Sequence, residues 1–175
     1  MVDDAHTETW TLDDGKKLTL RHIAHGDAVI EQTFVRNLSV ESRYLRFHGS
    51  IKELNKKDLE TFTNPDPLNE EALIILIKGE KHEVEIGVAR FIIDSDGKNC
   101  EFAIVVADEW QKRGIGTKLM KALIRHAQSR GIKRIHGAVL KENSGMLQFV
   151  KGLGFEETTV PDDPSVVLVT KYLRD

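Results

Sequence analysis

Only one cysteine, Cys100, stands in 175 residues, so no internal disulfide can form. That agrees with a reducing compartment, and a lone thiol reads first as a small buried hydrophobe. Long apolar runs are missing as well. The longest, ALIILI at 72–77, is far short of the roughly 20 residues that span a bilayer. The opening MVDDAHTETW lacks the basic-then-apolar order of a secretion signal. A cytoplasmic location without membrane attachment is expected. Charge of one sign is absent too: 25 Lys and Arg against 28 Asp and Glu leave a formal charge of -3, spread along the chain. Binding by phosphate neutralisation needs a basic face, so DNA and RNA are not expected partners. The seven histidines form no His-Glu-x-x-His string and there is no Cys-x-x-Cys, so no metal is expected.

What is there is an ordinary globular balance, 40% hydrophobic and 30% charged, at a length that one core serves. A single domain over 1–175, with its core at about 8–173, is expected. Asp14-Gly15 divides TETWTLDDGKKLTLRHI into two strand-like halves, a hairpin cue. From Gly26 to about Ile51 apolar residues recur at helical spacing, with Ser39 placed as a cap between two helices. KKDLETFT is a third helical piece, stopped by Pro65 and Pro67. EALIILIKG, EVEIGVARFIID and NCEFAIVVAD follow as a meander of three strands with short links at Gly79-Glu80 and Asp94–Gly97. Ile115, Leu119, Ala122, Leu123, His126 and Ala127 mark one face of a long helix that Gly131 ends. IKRIHGAVL reads as a strand, SGMLQFVKGLG as a short helix, and FEETTV and SVVLVTKYL as closing strands. The order is that of an α/β protein without internal repeats. The sheet edge after the last strand is a place where a second copy can pair to form a homo-oligomer.

Glycine is the poorest helix former after proline, yet Gly114 and Gly116 sit where the long helix begins. A strand, a turn and a helix start leave backbone N–H groups unpaired, with the positive end of the helix dipole behind them. Two missing side chains clear space there for an anion, and Lys112, Arg113 and Lys118 add positive charge. A tight strand-to-helix turn is the plain alternative for an isolated glycine pair. The string is no Walker A loop, and a dinucleotide fingerprint would want a third glycine where the chain has Leu119. Gln111-Lys112-Arg113-Gly114-Ile115-Gly116 resembles instead the Gln/Arg-x-x-Gly-x-Gly/Ala signature of the GNAT superfamily of acyl-CoA-dependent N-acetyltransferases. NSGMLQFVKGLGF, with Asn143 ahead of Leu153-Gly154-Phe155, resembles that family's second block, and the element order over about 8–173 resembles its whole domain. Within the superfamily, ESRYLRFHGSIKEL and CEFAIVVADEWQKRGIG are similar to the acetyltransferase domain of bacterial Pat-type protein lysine acetyltransferases.

The resemblance implies a mixed, mostly antiparallel central sheet of about six to seven strands flanked by helices, and acetyl-CoA as cosubstrate. It implies that Ile104, Val105 and Val106 offer strand-edge backbone groups to the pantetheine arm. Lys112, Arg113, Gly114, Ile115, Gly116 and Thr117 would wrap the pyrophosphate, Gln111 would join them in binding the cofactor, and the Asn143 amide would contact the coenzyme. A buried strand is the structural alternative for the first set, and a helix N-cap for Asn143. The acceptor is expected to be a primary amine, foremost a protein lysine; a small amine or amino acid, or a non-catalytic acyl-CoA sensor, are the alternatives.

An ammonium of pKa about 10.4 must lose a proton before or during attack. Glu101 matches the glutamate taken as general base in Pat-type enzymes. It shares a strand face with Ala103 and Val105, and partial burial in an apolar cleft would raise its pKa toward the task. A solvated strand-edge position is its structural alternative, and Glu83, Glu85 and Glu109 are less well placed. The backbone N–H near Val106 is the candidate oxyanion donor. One departure stands out: Val150 occupies the place where many family members carry a tyrosine acid, leaving Ser144 as a substitute acid or an ordinary helix-start residue. Tyr44 and Phe47 could border the acceptor site or pack helices. His22, His25 and His126 are read as packing or surface hydrogen-bonding residues.

Overall fold

Turn chemistry and alternation build the sheet from its first edge. In the computed structural model, which describes residues 7–174, β1 (Glu8–Thr11) and β2 (Lys17–His22) form a hairpin whose turn holds Gly15 at φ 86°. Residues 1–6 and 175 of the expected domain lie outside the described residues. The meander follows as β3 (Glu70–Lys78), β4 (Glu83–Ile93) and β5 (Asn99–Val106), each antiparallel to the one before, and β3 pairs back onto β2. Ala72 to Leu76 of β3 are buried without alternation, as in a strand covered on both faces. β5 runs parallel to β6 (Arg134–Leu140), which pairs antiparallel with β8 (Val166–Tyr172); β7 (Glu156–Thr159) closes the order β1-β2-β3-β4-β5-β6-β8-β7. The sheet thus has eight strands rather than six or seven, because the hairpin and both closing segments join it. The final strand lies inside, so the edge expected after it belongs to β7.

The helices are α1 (Ala28–Asn37), α2 (Val40–Phe47), α3 (Lys56–Thr63), α4 (Ile115–Ser129) and α5 (Ser144–Gly152). Ser39 caps α2 by accepting from the Ser42 N–H at 3.0 Å, and Asn55 caps α3 from the Asp58 N–H at 2.8 Å. α4 buries Ile115, Leu119, Met120, Ala122, Leu123 and Ala127, and Gly131 stops it at φ 73°. Directly opposed residues of an antiparallel pair share a face, so register assigns the helices to sides. Gly87 pairs with Val106, and a β-carbon on Gly87 would lie 2.9 Å from Leu119 Cδ1, so that side belongs to α4. Arg90 pairs with Ala103, donates to the Phe62 carbonyl at 2.7 Å and lies 3.2 Å from Glu31 Oε1; the opposite side belongs to α1 and α3. Cys100 is buried as expected, and burial first, then the charge of Asp94, pushes its thiol up to about 12.

Candidate active site

β5 and β6 share only three rungs, Asn99–Arg134, Cys100–Ile135 and Glu101–His136, and then part. Phe102 sits in the fork: a β-carbon on Gly137 would lie 2.6 Å from its Cε1, and its ring meets Phe155 edge-on at 5.4 Å. Past this point the strands enclose a cleft of about 470 Å³, walled by Phe102–Val106 on one side and Gly137–Val139 on the other. Ala107 donates to the Ile86 carbonyl at 2.8 Å. Alternation then aims the polar groups of Val105 at β4, and those of Ile104 and Val106 into the cleft. Of the three strand residues singled out for the pantetheine arm, Val105 offers only its side chain. The Val106 carbonyl accepts from Gln111 Nε2 at 3.0 Å.

At the open end of the cleft, a 3₁₀ turn at Asp108–Trp110 leads into a loop with two left-handed residues, Lys112 (φ 60°) and Gly114 (φ 84°). α4 starts at Ile115 without a side-chain cap, and among the described residues nothing accepts from the N–H groups of Ile115, Gly116 and Thr117. A β-carbon on Gly114 would meet nothing within 4 Å, so what calls for glycine here is the left-handed φ, and the space beside it stands open. Gly116 is the one at close quarters: its β-carbon would lie 3.4 Å from Phe149 Cζ. Gln111, Lys112, Gly114, Gly116 and Thr117 line the cleft. Arg113 turns aside, with its guanidinium 4.3 Å from the Trp110 ring and 3.5 Å from Asp14, and Ile115 is buried in the core. Neither side chain lines the cleft.

Asn143 lines the cleft and also caps α5, accepting from the Met146 N–H at 3.1 Å through Oδ1. The cap leaves its Nδ2 for a ligand. Ser144 lines the cleft beside it, while Val150 is fully buried. Phe47 stacks on Phe62 at 6.5 Å, and neither Phe47 nor Tyr44 lines the cleft, where α2 instead presents Glu41, Ser42, Leu45 and Arg46.

Glu101 stands on the last rung of the fork, on the α1–α3 side, and is exposed rather than part-buried as expected. Its cross-strand neighbour Ile92 is 56% exposed, so the helices do not reach over this end of the sheet. Of the other glutamates, Glu83 and Glu109 are exposed and Glu85 is buried. Sequence reasoning passed over three residues that shape the site. Gly137 is the receiving surface for Phe102, and a glycine inside a strand was its available signal. Asp108 accepts from the Ser39 N–H at 2.9 Å and from the Ser39 and Ser42 hydroxyls at 2.7 Å each, tying α2 to the turn that leads into the loop. Arg46, the third, gave no signal in spacing.

A parted parallel pair, headed by a helix start with free N–H groups, suits a long ligand with an anionic head. A model of the acetyltransferase (GNAT) family matches residues 35–155, and the chain belongs to that family of acyl-CoA-using enzymes. It is 29% identical over 158 residues to an acetyltransferase of Pseudomonas aeruginosa, covering 90% of this chain and 85% of that one. It is 31% identical over 157 residues to acetyltransferase Pat of Mycolicibacterium smegmatis, covering 88% of this chain and 45% of that protein. The crystal structure of the GNAT domain of S. lividans PAT matches with TM-score 0.88 at 26% identity, covering 99% of this chain and 100% of that one. Among the described residues no helix is long and apolar enough to cross a membrane.

Proposed function

We propose that this enzyme transfers an acetyl group from acetyl-CoA to a primary amine, with a protein lysine as the leading acceptor, by direct attack on the thioester. The observation that carries the reading is the fork between β5 and β6 with a bare helix N-terminus at its open end. The N–H groups of Ile115, Gly116 and Thr117, with Lys112 beside them, hold the pyrophosphate. The pantetheine arm runs along Ile104 and Val106, with the Asn143 amide closing on it. The Val106 N–H, aimed into the cleft, meets the oxygen of the tetrahedral intermediate.

Glu101, being exposed, takes the amine proton through water. The amine nitrogen bonds to the acyl carbon, the carbon–sulfur bond breaks, and the thiolate leaves. A thiol of pKa about 8.5 needs no tyrosine for this step near neutral pH, since solvent can return its proton. The likeness to Pat and to the S. lividans PAT domain supports a protein lysine as acceptor, although the chain spans 45% of the length of Pat. The same reading takes the chain as one acetyltransferase domain working in the cytoplasm.

Glu101→Gln is expected to lower kcat by about 10²–10⁴ while leaving the Kd for acetyl-CoA unchanged, as read by steady-state assay and calorimetry. Full turnover in that variant would remove Glu101 from the reaction. Acetylation of small amines but of no lysine-bearing protein would overturn the protein acceptor.

A further inference from the structure

Arg46 faces the cleft from α2, and among the described residues no oxygen accepts a hydrogen bond from its guanidinium. It is nevertheless held in place. Its Cζ lies 4.8 Å from the Phe47 ring, Phe47 stacks on Phe62 at 6.5 Å, and Arg90 lies 4.4 Å from the Phe62 ring. Arg90 takes Glu31 Oε1 at 3.2 Å, Glu31 Oε2 is left without a hydrogen-bond partner among the described residues, and Arg46 bonds to neither oxygen. Stacking uses the flat faces of a guanidinium and none of its five N–H donors. Burial first, and then the charge of Arg90, pull the Arg46 pKa down to about 10, with Glu31 offsetting only part. A positive charge sheltered in this way gains most when an anion arrives.

The place of Arg46 tells which anion. Asp108 ties Ser39 and Ser42 to the turn ahead of the pyrophosphate loop. Arg46 lies one helical turn further on, about 6 Å along the axis, beside Arg90, whose strand partner is Ala103. It therefore stands beside the middle of β5 rather than at the phosphate end. Ala103 and Glu101 share this face of the strand, about 7 Å apart. The α1–α3 side of the fork thus offers an anion, Glu101, and a cation, Arg46.

We infer that Arg46 binds a carboxylate of the acceptor, so that preferred substrates carry a carboxylate close to the amine that is acetylated. This rests on the acetyl-transfer reading above. The carboxylate could belong to a free amino acid or to an acidic residue beside a lysine, and two matched pairs of acceptors separate these sources. One pair is lysine and 1,5-diaminopentane, which differ by the carboxylate alone. The other is a lysine peptide with aspartate next to the lysine and the same peptide with asparagine there.

At saturating acetyl-CoA, kcat/KM is expected to be at least about tenfold higher for the carboxylate-bearing member of one pair, and the pair that shows it names the source. Arg46→Met should abolish that preference without changing the Kd for acetyl-CoA, and Arg46→Lys should keep part of it, having the charge without the planar fork. Equal kcat/KM within both pairs for the unmodified enzyme overturns the inference, whatever the variants do. So does a preference that survives Arg46→Met, or a variant that folds but loses acetyl-CoA affinity. Turnover without preference leaves acetyl transfer standing; failure to bind acetyl-CoA and to acetylate any of the four acceptors overturns both.

Discussion

Gly114 is held at φ 84° with open space where a side chain would project. An L-residue there strikes nothing but strains the backbone by about 1–2 kcal/mol. Gly114→Ala is therefore expected to lower the melting temperature by about 2–8 °C for a chain of this size, and to weaken coenzyme binding as the following N–H groups swing out of line. Thermal melts with and without coenzyme check both, and an unchanged melting temperature would show that the loop relaxes freely. At this scale the glycine pair was legible because a glycine at a helix start has few explanations. The arginines were not. A long flexible side chain goes where its tertiary neighbours allow: Arg113 lies on Trp110 and reaches Asp14, from a hairpin distant in sequence, whereas Arg46 is fixed by Phe47. Glu101 was placed on the correct strand face, but its exposure depends on helices ending short of Ile92, which alternation does not report.

Strands and helices were recovered closely, since apolar period and turn residues mark each of them: Ser39, Pro65, Gly97 and Gly131 all fall within two residues of an element end. The parting of β5 and β6 was not, because NCEFAIVV and RIHGAVL read as strands along their whole length and pairing partners leave no period. The hold of Asp108 on α2 was equally hidden, the two being 66 and 69 residues apart in sequence. Burial pulls the Asp108 carboxyl up, but hydrogen bonds from Ser39 and Ser42 more than offset it and hold the group below its usual range. Asp108→Ala should cost about 1 kcal/mol, allowing for solvent screening of an exposed carboxylate, and lower kcat/KM by letting α2 drift from the cleft. Melting curves and steady-state assays read the two effects. A variant of unchanged stability and activity would show that α2 is placed by its apolar contacts alone.

Across the whole molecule, two glutamates give stability opposite dependences on pH. Burial alone would raise Glu71, but hydrogen bonds from His126 and His22, together with their charges, hold it at about 2, against an ordinary 4.5. A carboxyl depressed on folding contributes stability above its unfolded value, and that contribution is lost as pH falls from 4.5 toward 2. Glu85 runs the other way: burial, then the charge of Glu31, push it well above 4.5, so its cost to the fold grows as pH rises from there. Glu85→Gln is expected to raise the melting temperature near neutral pH by a few degrees and to change it little at about pH 4. Glu71→Gln is expected to lower it near neutral pH and to flatten the loss in acid. Melts recorded across this range check both, and parallel curves for the two variants would contradict the assignment. Single-chain patterning gave no hint of either group, because both owe their environment to contacts between β-strands and helices far apart in the chain. The outer edge, β7, is four residues long, exposed throughout and begins with two glutamates, a poor surface for pairing with a second copy.

The fork also has two mouths. α4 and its loop attend one side of the sheet and α1–α3 the other. Residues from both sides line this gap, Gly116 and Phe149 on one and Arg46 and Ala103 on the other. On the acetyl-transfer reading proposed above, donor and recipient enter by opposite doors, neither has to depart before the other arrives, and no residue of the protein has to carry the cargo between them.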